Sequence, residues 1–274
     1  MTVRKGKIGV FDSGLGGLTI LRAIAELIPE REYLYLGDNL HTPYGNRRPE
    51  EIFQLTLKGV EWLFERGAEV VVLACNTASA NALRRIQREV LPLKYPDRRV
   101  LGIIIPTVEE LEKWSKAGHV GILATRATVA SKTFEVEMAK RNPEIAVVCR
   151  SGGDLAELIE KNVDAKILLA EIGRTAGRLV AEDEKIDTFL LGCTHYALIE
   201  KEIADFLGKK IKVVTQGRLV ALKLQDYLKR HPEMEKRLSR KAKISFYTTS
   251  PDDRVKKLMI RFFGRKNVFI FVKI

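Results

Sequence analysis

The sequence predicts an α/β protein of two similar lobes, each built on a mainly parallel sheet and related by pseudo-symmetry, with the active site in the cleft between them. Three observations carry this prediction. Short apolar runs ending in Gly or polar residues alternate with helical patterns along the chain, as βαβ units require. The strand ends also repeat. Ile8-Gly9-Val10-Phe11 before Asp12-Ser13-Gly14 parallels Val120-Gly121-Ile122-Leu123 before Ala124-Thr125-Arg126, and Val71-Val72-Leu73-Ala74-Cys75 parallels Phe189-Leu190-Leu191-Gly192-Cys193, at offsets of about 112 and about 118 residues. Finally, 274 residues is close to the practical limit of one hydrophobic core, so two units are expected. Residues 1–98 with 209–274 form the first expected lobe and residues 99–208 the second.

Strands are predicted over 7–12, 33–37, 70–74, 100–105, 119–124, 145–149, 188–192 and 212–214. Two more, 243–248 and 268–273, flank a helix over 251–263. Their near-continuous apolar character suits parallel strands covered on both faces. Between them, helices are expected to begin near Leu18, at Pro49 and after Cys75. Parallel strands of this kind open their site at their carboxyl ends, which directs attention to the residues just after each run.

Composition narrows the class. With 46% hydrophobic and 30% charged residues, 20 Gly and 9 Pro, disordered, collagen-like and fibrous proteins are excluded. Three cysteines, widely spaced, exclude a disulfide framework and structural zinc, and fit a reducing cytosol. Residues 1–7 are a short basic stub without a signal-peptide core, and no apolar run approaches 18 residues, so neither export nor a membrane span is expected. The net charge of +12 raises the question of nucleic acid. The basic residues lie beside acids along helices without interleaved aromatics, which favours a solvated surface and no nucleic-acid partner, while still suiting a small acidic substrate. The scarcity of Gln and Asn beside abundant Lys, Arg and Glu concerns stability rather than function.

Four constellations could carry chemistry. Asp12-Ser13-Gly14-Leu15-Gly16-Gly17 lies between a strand and a helix, where glycines allow close backbone approach and amides can hold an anion. Thr19 stands where a dinucleotide fingerprint needs Gly, and a plain strand-to-helix turn is the alternative. Cys75, followed by Asn76-Thr77-Ala78-Ser79, is a thiol with polar neighbours at a helix amino end, which lowers thiol pKa; packing is the competing reading. Gly192-Cys193-Thr194-His195-Tyr196 repeats the arrangement, with His195 able to take or return the thiol proton. Cys149 lacks such company and reads as a strand residue. Pro43-Tyr44-Gly45 forms a turn whose exposed amides could grip an anion, or a surface loop. Two activated thiols facing each other meet the requirement of inversion at carbon, proton removal from one face and delivery to the other, without metal or cofactor.

On these residues the sequence resembles the cofactor-independent glutamate racemases of the aspartate/glutamate racemase family. The matching pieces are the 12–17 and 191–196 blocks, Thr42-Pro43-Tyr44-Gly45, Ala74-Cys75-Asn76-Thr77-Ala78-Ser79-Ala80, Ala124-Thr125-Arg126-Ala127-Thr128-Val129 and Phe246-Tyr247-Thr248-Thr249-Ser250, in family order across almost the whole chain. The resemblance implies a cytoplasmic isomerase, commonly a homodimer, that interconverts L-glutamate and D-glutamate for peptidoglycan. Cys75 would act on D-glutamate with help from Asp12, and Cys193 on L-glutamate with help from His195. Ser13, Asn76, Thr77, Thr128 and Thr194 would hold the α-carboxylate and amino group. Pro43, Tyr44 and Gly45 would face the side-chain carboxylate, with Tyr44 and Gly45 as the amide donors because proline has none. A cleft glutamate falls at Glu160 by spacing to Cys193, with Glu157 as rival. The chain departs from the family at Arg150-Ser151-Gly152-Gly153-Asp154, at Ile105-Pro106-Thr107-Val108, at Ala197 and at Thr215-Gln216-Gly217. A non-catalytic amino-acid-binding or protein-interaction module of the same family is the alternative function, and a Cys193/His195 thiol hydrolase a third.

Overall fold

The computed structural model describes residues 5–274; Met1 to Arg4 of the expected basic stub lie outside the described residues. Ten strands, β1 (Lys7–Asp12), β2 (Glu32–Gly37), β3 (Ala68–Leu73), β4 (Arg99–Gly102), β5 (His119–Ala124), β6 (Ala146–Ser151), β7 (Thr188–Gly192), β8 (Lys212–Val214), β9 (Lys243–Thr248) and β10 (Phe269–Phe271), form two sheets. The first has the order β10-β9-β2-β1-β3-β4 and the second β6-β5-β7-β8. Every strand pairing is parallel. The run β2-β1-β3-β4 has the same connectivity as β6-β5-β7-β8, so β1 corresponds to β5 and β3 to β7, as the strand-end repeat anticipates. In each lobe the first strand is central, and β9 and β10 extend the first sheet alone.

The boundaries between lobes differ from the expected ones. Arg99–Gly102 pairs with β3 and belongs to the first sheet, whereas Lys212–Val214 pairs with β7 and belongs to the second. The chain therefore crosses between sheets after Gly102 and again after Val214. The strand expected over 100–105 stops at Gly102 because Ile104–Trp114 is helical, forming the first crossing. The other predicted strands are recovered within a few residues at each end.

Alternation along the strands explains how one sheet serves two layers. Ile8, Val10, Val70 and Val72 face one core with α1 (Gly17–Leu27) and the helices Gly217–Arg230 and Asp253–Phe263. Phe11, Val71 and Leu73 face the opposite core with α2 (Pro49–Glu65) and α3 (Asn76–Arg85). The first of these cores continues into the second lobe through Leu155, Phe189 and Leu191. The lobes are thus joined by shared apolar packing as well as by two crossings. Because all strands run parallel within each sheet, the turns after β1, β3, β5 and β7 gather at the carboxyl ends of the sheets, where the two lobes meet.

Candidate active site

A cavity of about 130 Å³ lies between the lobes, and both Cys75 and Cys193 line it. Cys75 caps α3: its extended backbone leaves the strand, and its sulfur accepts a hydrogen bond from the Ala78 amide at 3.4 Å. Ser13 Oγ, at the end of β1, lies 3.3 Å from the same sulfur. Cys193 follows β7 in the same way and is 8% exposed, comparable to the 6% of Cys75. Both thiols are thus enclosed but face the cavity.

The helpers of the two thiols differ. His195 Nδ1 lies 3.9 Å from Cys193 Sγ, and Nε2 donates to Glu160 Oε1 at 2.7 Å. Burial disfavours the imidazolium, but the Cys193 sulfur and the Glu160 carboxylate outweigh it, and the His195 pKa stands well above 6.5. Burial likewise opposes ionisation of Glu160, yet its hydrogen bond to His195 holds it below its ordinary value. Glu160 is therefore the carboxylate that reaches the histidine, whereas its rival Glu157 also lines the cavity but pairs with Lys161 on the exposed face of the same helix. Cys149, in β6, does not line the cavity, and burial together with Glu135 raises its thiol pKa.

On the other side, burial pushes the Cys75 thiol up to about 12, and the Asp12 charge adds to it; the Ser13 hydroxyl and Ala78 amide only partly offset these. The expectation that a helix amino end lowers this thiol is met in kind and outweighed in size. Asp12 is fully buried. Burial raises its pKa, against the opposing charge of His195 and the Gly14 and Gly17 amides. Its Oδ1 accepts from the Gly14 amide at 2.8 Å, while Oδ2 has no hydrogen-bond partner among the described residues. Asp12 stands behind Ser13 rather than on the cavity wall.

The polar lining comes from both lobes. Ser13, Pro43, Tyr44, Gly45, Asn76, Thr77 and Thr194 all line the cavity, as the sequence anticipates. Tyr44 and Gly45 begin a short 3-10 turn and are buried rather than exposed, because the second lobe closes over them. A Cβ on Gly45 would lie 2.7 Å from Thr125 Cβ. The Tyr44 hydroxyl donates to Asp38 at 2.6 Å, and burial together with that carboxylate keeps the phenol protonated. Asp38 also accepts from Thr249 at 2.7 Å, fastening the turn to the end of β9.

Thr128 departs from expectation. It does not line the cavity; its hydroxyl lies behind the wall, 2.9 Å from Thr125 Oγ1 and 3.3 Å from Thr77 Oγ1. Thr125 takes the place on the cavity wall, bonded to Thr77 across the lobes at 2.8 Å. It was missed as a site residue, although the strand-end repeat places it opposite Ser13. Asn76 reaches the cavity, but its amide is committed to Gln216 on the far side, a residue noted in the sequence only within the Thr215-Gln216-Gly217 departure and not as part of the site. Among the described residues no group of three or more His, Cys, Asp or Glu side chains is placed to hold a metal ion, and no helix is long and apolar enough to cross a membrane.

Comparison with known proteins agrees with this geometry. The Asp/Glu/hydantoin racemase family profile matches residues 8–221. A glutamate racemase of Dinoroseobacter shibae is 40% identical over 274 residues, covering 96% of this chain and 97% of that protein. A glutamate racemase isoform from Bacillus anthracis superposes with a TM-score of 0.89 at 29% identity, over 98% of this chain and 97% of that one. The glutamate racemase of Francisella tularensis, solved in complex with D-glutamate, gives 0.87 at 26% identity, with 98% of both chains covered. The polypeptide is an isomerase-type α/β protein that belongs to the Asp/Glu/hydantoin racemase family.

Proposed function

We propose that this chain is a glutamate racemase, interconverting L-glutamate and D-glutamate by deprotonation and reprotonation at Cα and so supplying D-glutamate for peptidoglycan. The observation that carries the reading is the pair of cysteines, one from each lobe, lining one cavity with a separate polar helper behind each. A thiolate on one face takes the Cα proton and becomes a thiol. The thiol on the other face gives its proton to the opposite side of Cα and becomes a thiolate. The carbon is inverted, no atom is gained or lost, and the next turnover starts from the opposite protonation state.

The two helpers suit the two directions. With D-glutamate, Cys75 is the base and Asp12 the acceptor of its thiol proton. The substrate's α-ammonium beside the sulfur lowers the raised Cys75 pKa, so the thiolate forms as the amino acid binds. With L-glutamate, Cys193 is the base, and an imidazolium on His195, held by Glu160, stabilises the thiolate across Nδ1. Ser13, Asn76, Thr77, Thr125 and Thr194 surround the α-substituents. The amides of Tyr44 and Gly45 serve the side-chain carboxylate, and Thr128 supports the wall from behind. No metal or cofactor is assigned a role. The enzyme works in the cytoplasm as a homodimer, for which sedimentation should give twice the chain mass of 31.0 kDa; a mass of one chain at working concentration contradicts the dimer.

The experiment is circular dichroism of L- and D-glutamate incubated with dialysed protein. Either enantiomer should lose its signal, ending at an equal mixture. Tight glutamate binding with an unchanged signal would support the non-catalytic module instead.

A further inference from the structure

We propose that Gln216 is a positioning residue for the Cys75 half of the reaction, acting through Asn76. The inference rests on the racemase reading. Gln216 sits just after β8, on the returning crossing between lobes, and is 3% exposed. Its Oε1 accepts from Asn76 Nδ2 at 2.6 Å, and its Nε2 donates to Asn76 Oδ1 at 3.1 Å, a reciprocal amide pair. The same Nε2 donates to Thr107 Oγ1 at 2.9 Å, and Thr107 in turn donates to the Ile103 carbonyl at 2.6 Å. Thr107 lies in the first turn of Ile104–Trp114, the outgoing crossing. Gln216 therefore joins both crossings to the residue directly after Cys75.

The chemistry of the pair explains why it matters to the reaction. Asn76 is 2% exposed and lines the cavity immediately beside the thiol. Left free, its amide could turn either its oxygen or its nitrogen toward the substrate. The Gln216 amide satisfies both ends at once, which fixes the orientation, and burial makes each bond costly to lose. Although Gln216 also borders a second cavity behind Cys193 and Thr194, its three side-chain hydrogen bonds go to Asn76 and Thr107. The effect of its loss should therefore fall on the step that Cys75 performs.

The test is Gln216→Met, which keeps the volume and removes all three bonds, assayed with Cα-protiated and Cα-deuterated D- and L-glutamate. Because the enantiomers are equal in energy, kcat/KM must fall equally in both directions, by about tenfold. The isotope effects separate the two thiols. Slower transfer at Cys75 should enlarge the effect with deuterated D-glutamate and shrink it with deuterated L-glutamate. Thr107→Val, which leaves the Asn76 pair in place, should shift both in the same sense by less, and carries the test if Gln216→Met does not fold. Unchanged kcat/KM, a loss with both isotope effects unmoved, or the opposite asymmetry would each overturn the inference. An unsubstituted protein with no racemase activity would instead overturn the functional reading on which it stands.

Discussion

Asp12 is fully buried and Glu160 half-buried, each near one of the two cavity cysteines, and their surroundings set them apart. Glu160 faces an imidazolium and is held ionised, whereas Asp12 has one oxygen without a partner among the described residues and a raised pKa. Replacing Asp12 by Asn keeps the acceptor for the Gly14 amide and removes the charge that helps to raise Cys75. Thiolate absorbance should then show Cys75 titrating below the unsubstituted protein, while turnover falls about 100-fold or more because the proton acceptor is gone. A variant with a lower thiol pKa and full turnover would show that Asp12 takes no part in proton transfer. In Glu160→Gln the hydrogen bond to His195 survives without the charge, so the His195 pKa should fall toward 6.5. The limb of the pH–rate profile that reports the imidazolium should move with it. The sign for stability follows from linkage: the proton on His195 stabilises the folded chain fully below 6.5, and this contribution is lost as pH rises through the raised value. Melting temperature in that window should decline more steeply for the unsubstituted protein than for Glu160→Gln, and parallel curves would contradict the assignment.

At the level of elements, the two lobes are fastened by close approaches that only small residues permit. A Cβ on Gly16, at the start of α1, would lie 2.1 Å from Thr194 Oγ1 and 2.5 Å from His195 Nδ1. Gly16→Ala should therefore destabilise the protein by roughly 1–3 kcal/mol and displace His195 from Cys193. Thermal unfolding and the pH profile together would detect this; an unchanged profile would mean that α1 does not set the Cys193 side. This interlobe role was not legible in the sequence, where the glycines read as a strand-to-helix turn. The strands themselves were legible because parallel strands covered on both faces leave apolar runs, and Lys7–Asp12, His119–Ala124 and Thr188–Gly192 have the expected ends. Arg99–Gly102 and Lys212–Val214 were found as strands but assigned to the wrong sheets, since sheet membership is decided by a neighbour distant in sequence. Asn76 and Thr128 were named from motif position, while the parts played by Thr125, which the strand-end repeat already made the counterpart of Ser13, and by Gln216 are set by contacts across the cleft.

The molecule is built on two copies of one strand order, β2-β1-β3-β4 (extended by β9 and β10) and β6-β5-β7-β8, turned carboxyl ends together so that equivalent turns carry the two cysteines. That pseudo-symmetry matches the reaction, whose two directions are mirror images at Cα. The chemistry on the two sides is nevertheless unequal, a buried aspartate behind one sulfur and a histidine held by a glutamate behind the other, so the enzyme need not treat the enantiomers with equal kcat. The most direct measurement is proton NMR of glutamate at Cα in deuterated buffer, with the unsubstituted protein and with Cys75→Ser and Cys193→Ser. The unsubstituted protein should wash solvent deuterium into both enantiomers as they interconvert, and each single replacement should all but stop interconversion. Full racemisation by either single variant, or turnover that retains protium at Cα, would contradict a mechanism in which two thiols share one proton pathway.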